Sequence, residues 1–279
     1  MKHFHIKLDS YGRSLLNLAC GPKTDPSWNN LDFSPYALLA RHPRLTALAA
    51  AFRLLSPERK ERLAHIDPTI VRWDLAKGIP FPEDSFDVVY HSHFLEHLDR
   101  ESARTFLLEC RRTLKPGGIL RIVLPDLGSL VRNYVGAVTA IVTSQPMAEA
   151  RHDKAVHDLF DQMVRTESSG AKEQKGWRRT LESLWRGDAR KTGESHRWMY
   201  DRHSLARLLT ELGFEEIDAR TAATSGIEHW HQCRLDLNQD GSCYKPDSLY
   251  LEARKPQLAW YSTPAFEERS SSELVTGRG

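Results

Sequence analysis

Two stretches of this chain combine residue types that do chemistry with spacings that can bring them together. In LLNLACGPKTDPSWNNLD, residues 15–32, an apolar run halts at Ala19-Cys20-Gly21-Pro22, and Asp32 closes a second run eleven residues after Gly21. Asp74 ends a third run, TIVRWD. A glycine after one strand lets backbone approach a ligand closely. An acid ending the next strand can accept from two ribose hydroxyls, and an acid ending a third can accept from an exocyclic amine. In this order the three point to an adenosine-containing ligand. Taken singly, Gly21 is a turn glycine and the two aspartates are helix caps.

The second stretch is HSHFLEHL, residues 91–98, with His91, His93, Glu96 and His97. His91 and His93 fall at the end of an apolar run and are the best-placed general bases, an imidazole titrating near working pH. Each also reads as a structural or solvent-facing histidine. His93, Glu96 and His97 invite a metal reading, but no HExxH pattern is present and no metal is expected. Asp126, after the run ILRIVLP, is the other catalytic candidate, or else the cap of a following helix.

These groups need a scaffold. Residues 14–19, 30–32, 69–74, 86–91 and 119–125 read as short apolar strands bounded by Gly, Pro or acids. Between the last two, Ala103, Phe106, Leu107, Cys110 and Leu114 form the stripe of a helix lying on a sheet, with Gly117 as its C-cap. A helical stretch, residues 36–64, is broken by Pro43 and Pro57. Residues 204–212 read as a helix ending at Gly213, and 215–221 and 247–253 as strands. Helix alternating with strand predicts an α/β fold with a doubly wound, mostly parallel sheet. Residues 127–197 break that rhythm as a polar, helical insertion, and the tail from about 267 has little to bury.

Composition narrows the function. The chain has 279 residues, 40% apolar and 27% charged, with a net charge of +2. That balance argues against a dedicated nucleic-acid binder. The start lacks the apolar core of a signal peptide, and no apolar run is long enough to span a bilayer. Four scattered cysteines suit a reducing compartment, so a cytoplasmic protein is expected. Dinucleotide and P-loop sites are excluded by spacing, since neither GxGxxG with an acid about 20 residues on nor GxxxxGK[ST] occurs.

LNLACG, LDFSP, WDLAKGIPFPEDSFDVVYHSHFLEHL and FLLECRRTLKPGGILRIVLPDL together resemble the motif series of class I S-adenosylmethionine-dependent methyltransferases. They are most similar to the methyltransferase type 11 group, and within it to a branch often found beside glycan and surface-polysaccharide genes. The resemblance covers residues 14–126 well and extends loosely to about 255. It implies a seven-stranded Rossmann-like sheet with S-adenosylmethionine as cofactor. Ala19, Cys20 and Gly21 would lie under its methionine part, Asp32 would hold the ribose, and Asp74 with the Leu75 backbone would meet the adenine. Tyr90 to His93 would line the side near the methyl group. The usual multi-glycine loop is cut to one glycine followed by Pro22, and the first helix must be very short or absent.

The implied organisation is residues 1–126 with the cofactor site, 127–200 as insertion and acceptor pocket, 201–256 completing the core, and 257–279 as tail. Residues 172–197 carry eight Lys or Arg against four acids, a local +4, with Trp177, Leu181, Leu184 and Trp185 at helical spacing. Arg178 and Arg179, followed by His196, Trp198 and Tyr200, are the candidate acceptor contacts; a packed helix with a solvated basic face is the plainer reading. The expected reaction is methyl transfer to oxygen or nitrogen of a small, anionic or sugar-containing molecule, with a homodimer compatible with it. The rival is a non-catalytic cofactor-binding or scaffold protein that kept the fold.

Overall fold

A computed structural model of the protein describes residues 4–33, 41, 42, 44, 46, 48, 63, 67–163 and 196–257. Seven strands form one sheet: β1 Leu15–Leu18, β2 Asn29–Asp32, β3 Val71–Arg72, β4 Phe86–Ser92, β5 Leu114–Pro125, β6 Glu215–Arg220 and β7 Ser248–Arg254. Their order is β3-β2-β1-β4-β5-β7-β6. Strands β1 to β5 pair in parallel, and β7 runs antiparallel to both β5 and β6. This is the Rossmann-like methyltransferase fold. Strand order reverses direction at the β1/β4 junction, where open parallel sheets bind ligands.

The longer helices are α1 Arg100–Thr113, α2 Leu127–Val142, α3 Ala148–Met163 and α4 Arg202–Glu211; α5, Trp230–Cys233, is a single turn. Each of three starts on an aspartate cap. Asp99 accepts from the Ser102 N–H, Asp126 from that of Gly128, and Asp201 forms a reciprocal capping box with Ser204. The α1 stripe expected from spacing is the buried one: Ala103, Phe106, Leu107 and Cys110. Gly117 does not cap that helix. Thr113 is its last residue, and β5 begins at once, with its register against β4 jumping from Phe86–Leu114 to Val88–Ile119. Gly117, at φ +76°, sits in this irregularity and needs the left-handed conformation that glycine adopts freely. The third strand is shorter than its sequence suggests, because Asp67 folds Thr69 into a turn and Asp74 caps a 3₁₀ turn, Leu75–Lys77.

Strand alternation sends residues to two different coverings. Leu16, Leu18, Val89, Leu120, Ile122, Leu249 and Leu251 face the layer holding α1 and α4. Leu15, Val88, Tyr90, Ile119, Val123 and Tyr250 pack instead with Trp28, Ala222, Ile227, Trp230 and Leu235. Residues 19–28 contain turns and no helix, so that second face is closed by the irregular segment 221–247. Arg121, fully buried in β5, holds the segment. Its guanidinium donates to Asp236 Oδ2 at 2.8 and 2.9 Å, to Glu252 Oε1 at 2.6 Å, and to the carbonyls of Thr221 and Thr224. Tyr90 donates to the other Asp236 oxygen at 2.6 Å, and the Trp230 ring lies 4.3 Å from the guanidinium carbon.

α2 and α3 pack on each other within the expected insertion. Residues 172–195, with Arg178, Arg179 and most of the basic stretch, lie outside the described residues, as does the tail from 258. Among the described residues no helix is long and apolar enough to cross a membrane.

Removing the Arg121 charge while keeping its bulk strands two buried carboxylates. Arg121→Met should lower stability by about 3–5 kcal/mol in denaturant unfolding. Arg220→Met, a half-exposed neighbour that also pairs with Glu252, should cost far less. Equal small losses would show that the network does not hold the segment.

Candidate active site at the strand ends

The carboxyl ends of β3, β2, β1 and β4 stand side by side. The Cys20 N–H donates to the Leu31 carbonyl at 3.1 Å, and the Trp73 N–H to the Asp32 carbonyl at 3.1 Å. Those bonds bring Ala19–Gly21, Asp32 and Asp74 into one row, and Leu18 pairs with His91 on the other side of β1. Ala19 at φ +51° and Gly21 at φ +52° turn the chain sharply off β1. An added Cβ on Gly21 would meet nothing within 4 Å, so there is room over this turn. Asp32 is half-buried. One Asp74 oxygen accepts from the Ala76 N–H at 3.1 Å, leaving the carboxylate exposed enough to accept again. Leu75 follows in the same 3₁₀ turn. Cys20 is buried, and burial together with the nearby Asp32 charge pushes its thiol well up, so it is no nucleophile.

The histidines separate clearly. His91 is fully buried, pairs in register with Leu18 and Ile122, and rests its ring 5.1 Å from that of Phe106. Among the described residues neither ring nitrogen has a hydrogen-bond partner, and burial pulls its pKa down to about 3. A base that cannot reach solvent or a ligand is not catalytic; His91 is a core residue. Tyr90 is likewise in the core, its hydroxyl given to Asp236, and does not line the strand ends. His93 is different. It lies just past β4 at φ +51°, its N–H held by the Val123 carbonyl at 2.8 Å. Its Nε2 is 2.9 Å from Ser248 Oγ, and its Nδ1 is 3.4 Å from the fully buried Glu96 carboxylate.

Asp126 takes the plainer of its two readings. Its oxygens accept from the Gly128 N–H at 2.9 Å and from Arg132 at 3.2 Å, so it caps α2. The residues beyond the insertion do return to the strand ends. Glu96 O accepts from the N–H groups of Arg197 and Trp198, and Tyr200 bridges to Asp126. Trp198 is exposed, 4.9 Å from the Arg100 guanidinium carbon. Tyr200 is buried, and burial raises its hydroxyl to about 12. His196 is also buried, its ring 4.9 Å from that of His97.

One participant, Ser248, escaped the sequence. Ser248 reaches His93 only because β7 is antiparallel beside β5, an order that no local pattern announces. Phe33, exposed directly after Asp32, was legible as an aromatic at a strand end. The meeting of His196 with Glu96 and His97 needed the fold.

Residues 31–122 match the family model described as a methyltransferase domain. A rat relative, ribosomal RNA-processing protein 8 of Rattus norvegicus, is 35% identical over 80 residues, 28% of this chain and 17% of that protein. The chain thus spans less than a fifth of this curated relative's length. Among solved structures, the DhpI complex with S-adenosylhomocysteine superposes with a TM-score of 0.41 and 13% identity, covering 88% of this chain and 76% of that one. The Burkholderia thailandensis 1,6-didemethyltoxoflavin-N1-methyltransferase gives 0.40 and 14%, covering 88% and 73%. The matched family is S-adenosylmethionine-dependent. The described donor set fits that cofactor: two carboxylates at adjacent strand ends for ribose and adenine, and open space over a left-handed glycine.

The His91 assignment has a pH consequence. Its pKa is near 3 folded, against 6.5 when exposed, so only the unfolded chain takes up a proton between those values. Stability should therefore fall as pH drops below about 6.5, by about 1.4 kcal/mol per unit from this residue. His91→Leu should flatten that limb in denaturation series from pH 7 to 4.5. An unchanged slope would mean that the imidazole is not buried neutral.

Proposed function

We propose that this protein is an S-adenosylmethionine-dependent methyltransferase whose acceptor atom is an oxygen or nitrogen of a small molecule. The observation that carries the reading is the row Gly21, Asp32, Asp74 at adjacent strand ends of a β3-β2-β1-β4-β5-β7-β6 sheet. The cofactor, when bound, supplies an activated methyl group on a sulfonium. The chain's own residues hold it in place. Asp32 accepts from the ribose hydroxyls, Asp74 and the Leu75 backbone meet the adenine, and Ala19 to Gly21 run under the methionine part.

Methyl transfer is an in-line displacement, so much of the catalysis is alignment and exclusion of water. A hydroxyl acceptor must also lose a proton. His93 is the base that the geometry favours: it is at the end of β4, partly open, and its Nδ1 faces Glu96. A carboxylate behind an imidazole orients the ring and stabilises the imidazolium that forms. Trp198, exposed on the returning segment, is the candidate acceptor contact among the described residues. The +4 charge of residues 172–197 favours an anionic acceptor such as a phosphorylated or carboxylated sugar. Arg178 and Arg179 would serve that acceptor.

One feature favours a second reading, a cofactor-binding protein without transferase activity: among the described residues no helix lies between Gly21 and Asp32 to present its N-terminus to a ligand there. Two variants separate the readings. Asp32→Ala should weaken S-adenosylhomocysteine binding about tenfold or more in calorimetry, a charge-assisted hydrogen bond being worth roughly 1.5–3 kcal/mol; equal affinities would remove the cofactor assignment. His93→Asn should lower turnover by about 10²–10⁴-fold with cofactor affinity little changed. Turnover near wild type would leave alignment alone as the mechanism.

A further inference from the structure

Glu96, His97 and His196 each offer one ligand atom, and the three atoms lie within 4.8 Å of one another. Two of these residues are neighbours in the 3₁₀ turn Leu95–His97 that follows β4. The third arrives from beyond the helical insertion, and its position is fixed by backbone. The Glu96 carbonyl accepts the N–H groups of Arg197 at 2.8 Å and Trp198 at 3.3 Å, which clamps the segment carrying His196 onto the turn. His196 is oriented as well. Its Nδ1 faces the Gln162 carbonyl, which can only accept, so Nδ1 carries the proton and Nε2 the lone pair. A backbone carbonyl fixing the tautomer from behind is the arrangement that ligating histidines use.

The carboxylate completes the set. Glu96 is fully buried, and a buried carboxylate is strongly unfavourable unless positive charge stands close to it. Around it stand imidazoles: His97, His196, and His93 with Nδ1 3.4 Å from Oε1.

We propose that Glu96, His97 and His196 bind a divalent first-row transition-metal ion. Two imidazole nitrogens and one carboxylate oxygen are the donors that such ions take, whereas magnesium and calcium prefer oxygen alone. Three protein ligands leave positions open for water or for an oxygen of a bound molecule. His93, on the Glu96 carboxylate and anchored by Ser248, serves as an outer partner to the site. The sequence hid the site because its third ligand shares no motif with the first two.

The test uses the full chain, stripped with a chelator, with no cofactor and no acceptor, so its outcome is independent of methyl transfer. Cobalt(II) is the probe, followed by its visible absorption bands and by calorimetry. One ion should bind per chain in roughly the micromolar range or tighter, and zinc should displace it. His97→Ala and His196→Ala should weaken binding at least about tenfold, and Glu96→Gln should do the same while keeping the buried shape. Thermal unfolding of the chelated variants reports whether each is folded. If Glu96→Gln does not fold, the half-exposed His97 decides the matter. A double variant of the exposed His5 and His231 should bind as wild type does. No site tighter than millimolar, or equal binding in the folded ligand variants, overturns the proposal.

Discussion

Arg121 stands at the centre of this molecule because the chain omits a helix. With only turns between β1 and β2, the face over β1, β4 and β5 has no regular element from that connection to cover it. The irregular segment 221–247 takes the place, and an irregular segment brings backbone carbonyls that must find donors. A planar guanidinium with five N–H groups satisfies two of them, from Thr221 and Thr224, while it neutralises Asp236 and Glu252. Trp28, Tyr90 and Trp230 then pack around it at edge and tilted angles. The buried charge thus fixes the covering of one sheet face.

The site depends on strand parity. Along β4, Tyr90 and His91 point to opposite faces and both are lost to the core, one to a hydrogen bond and one to aromatic packing. His93 escapes because the chain leaves the strand in a left-handed turn at that residue. A histidine two residues earlier is held neutral by burial, and His93 is held against a carboxylate and a hydroxyl instead. The same turn delivers Glu96 and His97 to the place where His196 returns. The proposed cofactor and cation sites therefore belong to neighbouring strand ends.

Much of this was legible in the residues. The parallel sheet followed from alternating strands and helices, and α1 from a stripe whose residues are the ones buried. The order Gly21, Asp32, Asp74 placed these residues at successive strand ends, and the strand ends stand side by side. What failed were choices between two local meanings of one residue. Gly117 relieves an irregularity within a strand and does not end a helix, because β5 starts five residues earlier than its apolar run. Asp126 caps α2, and His91 is inside, since sequence spacing locates a strand end only to within a residue or two. Arg121 lies inside the apolar run ILRIVLP, and its partners Asp236 and Glu252 lie too far along the chain for any sequence pattern to join them.

The central claim is that the carboxyl ends of β1, β2 and β3 hold S-adenosylmethionine. A crystal structure of the protein soaked with S-adenosylhomocysteine tests it most directly. The account predicts the ribose hydroxyls within hydrogen-bond distance of the Asp32 carboxylate, the adenine amino group at Asp74, and the amino-acid end over Ala19 to Gly21. A ligand bound elsewhere on the molecule, or strand ends left empty at millimolar ligand, would contradict it.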